Sequence, residues 1–139
     1  MSDPITLPHY HHVMEIGAGD SYCSQGLAFG VRLKPGKVTL FEPNRFLYRD
    51  LARAAADYPE ANIHVYNQAV TNTTGKAKLF HFGYASFIEG APAFLPLAEP
   101  QGMEPVFWEP LARDVETVSM AEIDDGSVDF LILTVNGSE

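Results

Sequence analysis

Two glycines one residue apart, Gly17 and Gly19, follow a short apolar run, HVMEI at 12–16, that carries an acid, Glu15, two residues before the first glycine. Bare backbone directly after a strand lets a ligand approach main-chain N–H groups, and a helix starting just beyond it aims further unpaired N–H groups at the same place. A second acid, Glu42, sits at the end of the next apolar run, KVTLFEP. An acid about 20–25 residues past such a turn is placed to accept both hydroxyls of an adenosine ribose. Glu15, inside the end of its strand, needs a polar or cationic partner, because an unpaired carboxylate is costly to bury. A dinucleotide fingerprint wants a third glycine at position 22. Tyr22 stands there instead, a side chain too bulky for close helix-to-strand packing. A nucleotide-binding oxidoreductase is therefore a rival reading that both Tyr22 and Glu15 oppose.

Other reactive side chains carry weaker signals. His9, His11 and His12 alternate like metal ligands, but no Cys or acid pair lies beside them in the chain, so no metal site is assigned. His81, in KLFHFGY, titrates in the range useful to a proton acceptor, and is otherwise a surface residue of a strand. Ser86 shapes a turn or touches ligand. The single cysteine, Cys23, cannot form an internal disulfide and is expected to pack. Phe107 and Trp108 close over a ligand or anchor their own loop.

These groups need a scaffold, and the chain supplies an alternating one. After the glycine turn, DSYCSQGLAFGV reads as a short helix capped near Asp20 or Ser21. Pro35 and Gly36 turn the chain into the second strand, which Pro43 stops. Asn44 is placed to cap a second helix whose Leu47, Leu51, Ala54, Ala55 and Tyr58 form one apolar stripe, ended by Pro59. NIHVYNQAV at 62–70 is a third strand, so the first seventy residues read β-α-β-α-β. That order predicts an α/β fold with a parallel sheet and right-handed crossovers. TNTTGKAKLFHF reads as a turn and a strand. Residues 90–114 read as an irregular loop, with five of the ten prolines between Gly90 and Pro110. Strand character resumes in RDVETVSMAEI, and VDFLILTV is apolar on both faces, as a central parallel strand would be.

The 139 residues and 46% hydrophobic content suffice for one domain and one core. No window approaches the roughly 18 apolar residues of a membrane span, and MSDPITLPHY lacks a signal peptide's basic start and apolar region, so a cytoplasmic protein is expected. A net charge of −9, with Arg113 the only Lys or Arg after Lys78, repels phosphate backbones and anionic lipid. That argues against nucleic acid or a membrane as the main partner, so neither is expected.

Taken in order, EIGAGDS at 15–21, FEPN at 41–44, YNQAV at 66–70 and VDFLILTVNGSE at 128–139 resemble the class I S-adenosylmethionine-dependent methyltransferases, and within them the FkbM-type family. The likeness spans almost the whole chain, with FEPN and the closing segment its more specific parts. It implies a Rossmann-like methyltransferase fold with sheet order 3-2-1-4 and S-adenosylmethionine as cofactor. Gly17 and Gly19 would lie under the methionine part, Glu15 would help hold that end, and Glu42 would bind the ribose. Gln68 and Ala69 would line the adenine, and Ala18, Ser21 and Pro43 complete the implied set, Ser21 standing where a third glycine is common. The implied reaction is displacement of the sulfonium methyl by a hydroxyl oxygen of a sugar or small-molecule natural product. In the closing motif Ile132, Thr134 and Asn136 replace the family's Lys, Asp and Glu. Thr134 and Asn136 hydrogen-bond but cannot serve as general bases near neutral pH. With His81 they are the candidate catalytic residues, and a cofactor-binding module without turnover is the alternative. The family continues beyond this point, so either a longer chain or a homo-oligomer is expected to cover the last strand's edge.

Overall fold

The computed structural model describes residues 9–80, 87–88 and 112–134. Within them β1 (His12–Ile16), β2 (Lys37–Phe41) and β3 (Ile63–Tyr66) alternate with α1 (Gln25–Leu33) and α2 (Arg45–Ala56). The chain continues through β4 (Ala69–Thr71), β5 (Gly75–Phe80), β6 (Phe87–Ile88), β7 (Ala112–Ser119), α3 (Met120–Ile123) and β8 (Phe130–Leu133). One sheet has the order β3-β2-β1-β8, with every neighbouring pair parallel. This is the expected 3-2-1-4 arrangement, the last strand returning beside the first.

Side-chain alternation divides this sheet into two faces. Val13, Val38, Leu40 and Ile132 meet Leu27 of α1 and Leu51 of α2 in one core. Met14, Ile16 and Phe41 point the other way, onto Val118 with Val70, Met120 and Ile123 around it. The α2 stripe packs as its spacing predicts through Leu51, which is fully buried, while Tyr58 at the helix end is 38% exposed. Asn44 caps α2, its side-chain oxygen accepting from the Phe46 and Leu47 N–H groups.

Three expectations fail in detail. The third strand does not run from 62 to 70: it breaks at Asn67–Gln68, and Ala69 begins β4 in a second, mixed sheet of order β4-β7-β5-β6. Pairing of β4 with β7 and of β7 with β5 draws that segment away, a nonlocal preference that local propensity cannot report. The irregular loop expected over 90–114 gives way at Ala112 to an eight-residue strand, which closes into α3 rather than continuing to Ile123. The last strand, at the end of that order as expected, pairs on one side only among the described residues, leaving Leu131 44% and Leu133 50% exposed. The first helix is capped by neither Asp20 nor Ser21, for reasons given below. The remainder of the proline-rich segment, with Phe94, Phe107 and Trp108, and Ser86 lie outside the described residues.

Candidate ligand site at the carboxyl ends of the parallel strands

The glycine turn is tied to β2. Both the Gly17 and Ala18 N–H groups donate to the Phe41 carbonyl, and both glycines adopt a φ of +78°, a region other residues rarely enter. Glu42, buried at the end of β2, accepts from the Gly19 N–H at 2.8 Å and from the Asn44 N–H at 2.7 Å. A carboxylate offers about four lone-pair positions, so these two bonds do not exhaust its acceptor capacity. Burial raises the Glu42 pKa; the two N–H bonds oppose the rise, and Glu15 and Asp20 add to it. Three acids thus surround the turn, a setting that favours a cation over an anion.

Glu15 finds its partners within the protein. It accepts from the Ser24 hydroxyl and from the Gln25 and Gly26 N–H groups, so it closes the N-terminus of α1. Burial pushes its pKa up, against the pull of those three bonds. Ser24 in turn accepts from the Leu27 N–H and is the helix N-cap. Asp20 is instead spent on the Tyr22 and Cys23 N–H groups, and Ser21 on Asp50 of α2 through both its hydroxyl and its N–H. Those two bonds, with the Arg53 guanidinium, hold the Asp50 carboxyl at a pKa of about 2.

Placing the helix start at Gln25 changes the meaning of two residues. Tyr22 is 93% exposed in the preceding turn and has no part in helix-to-strand packing, so its bulk opposes nothing. The close approach occurs at Gly26, where a Cβ would stand 2.5 Å from the Leu40 side chain and 3.2 Å from that of Glu15. Cys23 is exposed rather than packed.

The structure gathers Glu15, Gly17, Ala18, Gly19, Ser21 and Glu42 around one turn. Thr134, exposed at the end of β8, joins them through its N–H to the Ile16 carbonyl at 2.9 Å. The expected adenine-lining set does not stay together. Pro43 borders a cavity of about 360 Å³ with Arg45, Asn67 and Arg113, whereas Gln68 borders a separate one of about 250 Å³ on the sheet face opposite α1 and α2. Ala69 is buried in the second sheet opposite Thr117. His81 and Asn136 lie outside the described residues.

Sequence reasoning missed Ser24, Gly26, Asp50 and Asn67. The Asn67 amide donates to the Glu42 and Pro43 carbonyls, so the asparagine of YNQAV, rather than its glutamine, fixes the FEPN turn. Gly26 and Gly30, four apart on one helix face, were a readable sign of close packing. Nothing local marks Asp50. Of the histidine trio, His9 and His11 touch edge to face at 5.7 Å while His12 is buried on the sheet, and no group of three His, Cys, Asp or Glu among the described residues could hold a metal. No helix among them is long and apolar enough to cross a membrane. Comparison with protein-family models, curated proteins and solved structures found no match to the chain.

Proposed function

We propose that the chain binds S-adenosylmethionine at the glycine turn and transfers its methyl group to a hydroxyl oxygen of a sugar or small-molecule natural product. The observation that carries this reading is the use of the helix N-terminus. In a dinucleotide site the first N–H groups of the helix face a pyrophosphate. Here Gln25 and Gly26 give theirs to Glu15, and Leu27 gives its to Ser24. A pyrophosphate would meet no free donors at those positions and three nearby acids; a sulfonium and an α-amino group suit the same field. Glu42 retains acceptor capacity for ribose hydroxyls, and the cavity at Pro43 and Asn67 adjoins it in the chain.

When bound, the cofactor supplies an electrophilic methyl group. The chain's own work is to orient it, through Glu42 and the main chain at Gly17–Gly19, and to align an acceptor hydroxyl near Thr134. Thr134 offers a hydrogen bond and no base, which favours a second reading, binding without transfer.

Titration calorimetry with S-adenosylhomocysteine and NAD tests the first step. Saturable heat is expected with the former and none with the latter, and Glu42→Ala is expected to weaken binding by at least about tenfold, the loss of paired ribose hydrogen bonds. Absence of heat with S-adenosylhomocysteine in a folded sample would retire the proposal. Methyl transfer is tested by comparing the native chain with a Thr134→Asp, Asn136→Glu double variant on a hydroxyl panel; equal inactivity of both favours the binding module.

A further inference from the structure

The second cavity, on the face of the parallel sheet opposite α1 and α2, has a polar wall built from buried groups. His12 is 3% exposed and Thr39 5%, and both line it. The His12 Nδ1 lies 2.7 Å from the Ser127 Oγ and the Nε2 2.6 Å from the Thr39 Oγ1. Ser127 also donates to Asp125, and that bond holds the Asp125 carboxyl below its ordinary range, so this carboxylate can only accept.

Directions follow along the chain of bonds. Since Ser127 spends its proton on Asp125, it must accept from His12 Nδ1–H. A neutral imidazole protonated there leaves Nε2 as an acceptor. Thr39 must therefore give its only proton to Nε2, and toward the cavity its hydroxyl is an acceptor alone. The remaining walls are the Met14 and Ile123 side chains and the Phe41 ring, stacked on Tyr66 with centroids 5.3 Å apart and 21° between planes. Gln68 offers both a donor and an acceptor, and Lys37 and Asp125 balance in charge.

We propose that this cavity is a separate binding site for a small, neutral, planar heterocycle that stacks on the exposed Tyr66 ring, itself backed by the buried Phe41, and donates an N–H to Thr39. Its volume suits a single ring or a fused pair, its lining includes both donors and acceptors, and the chain's net charge of −9 disfavours an anion. The cavity opens on the sheet face of Met14 and Phe41, whereas the Glu42 carboxylate turns to the Gly19 and Asn44 N–H groups at the turns leading into α1 and α2, so the site is distinct from the one at Glu42. Its occupancy does not depend on the methyltransferase reading.

The test is a nuclear magnetic resonance titration of the 139-residue chain with uracil, and with benzoate as the anionic comparison. Uracil is expected to shift the Gln68 side-chain amide and the Tyr66 ring saturably, and long-range nitrogen spectra are expected to show His12 as the Nδ1–H tautomer. Thr39→Val, close in shape, is expected to weaken uracil binding by about tenfold or more, because the donor loses its acceptor. Tyr66→Ala, at a 41% exposed position, is expected to weaken it without unfolding the chain. An Nε2–H tautomer, benzoate binding as tight as uracil, undiminished binding by either variant, shifts confined to Gly17–Gly19, or no saturable shift would each overturn the proposal.

Discussion

Glu15 and Glu42 share a residue type and a raised pKa, yet they differ in what they hold. Glu15 is consumed by the start of α1, whereas Glu42 bridges two N–H groups and keeps room for more. Both resist ionisation because burial dominates. Their contribution to stability is therefore complete below the ordinary value of 4.5 and is lost as pH rises through the higher folded values. His12 works in another window. Burial, then Lys37, lowers its pKa from 6.5 against the pull of Asp125 and Asp129. The unfolded chain then takes up a proton that the folded chain refuses, so His12 stabilises fully above 6.5 and less as pH falls toward the folded value. Denaturant midpoints are expected to drop between about pH 7.5 and about pH 5.5, with a shallower slope in His12→Gln; an unchanged slope would contradict the assignment. Asp50 adds a separate acid limb, stabilising above 3.8 and failing as pH approaches 2.

At the scale of elements, two contacts decide how the helices seat. Helix α1 approaches β1 and β2 so closely at Gly26 that a methyl group there would overlap Leu40. Gly26→Ala is expected to destabilise by about 1–3 kcal/mol in urea unfolding, the usual cost of overpacking, although alanine is the better helix former. A neutral or stabilising result would mean that the Leu40 side chain yields freely. Helix α2 depends on its cap: Asn44→Ala removes the acceptor for two N–H groups and is expected to cost about 1 kcal/mol by the same measurement. The turn between β1 and α1 is anchored to α2 by Ser21–Asp50, so the two helices and the glycine turn form one hydrogen-bonded unit. Motion of that unit would carry Glu42 with it through Gly19 and Asn44.

Across the whole molecule, helices cover one face of the parallel sheet and the second sheet with α3 reaches the other. That second layer turns the β3–β4 junction into the boundary between two cavities, sending Pro43 to one and Gln68 to the other. The net charge of −9 acts at this scale as self-repulsion. The melting temperature is expected to rise between about 0.05 M and about 0.5 M sodium chloride as the repulsion is screened, and calorimetry showing a fall would point to attractive pairs outweighing it.

Local pattern was enough to determine the parallel β1, β2 and β3 with their helices, the Asn44 cap, and the meeting of Gly17, Gly19 and Glu42 at one turn. Those features follow from apolar periodicity, proline and glycine punctuation and the handedness of βαβ crossovers, all of which are written in consecutive residues. Only tertiary structure decided the rest. Whether Asp20, Ser21 or Ser24 caps α1 depended on competing partners, Glu15 in β1 and Asp50 in α2, that lie far along the chain. Where the third strand broke depended on pairing with β7, and what His12 does depended on Thr39 and on Ser127, more than a hundred residues away. A hydrogen bond formed by chain closure leaves no periodic trace in the sequence; only the folded geometry selects among donors of similar local promise.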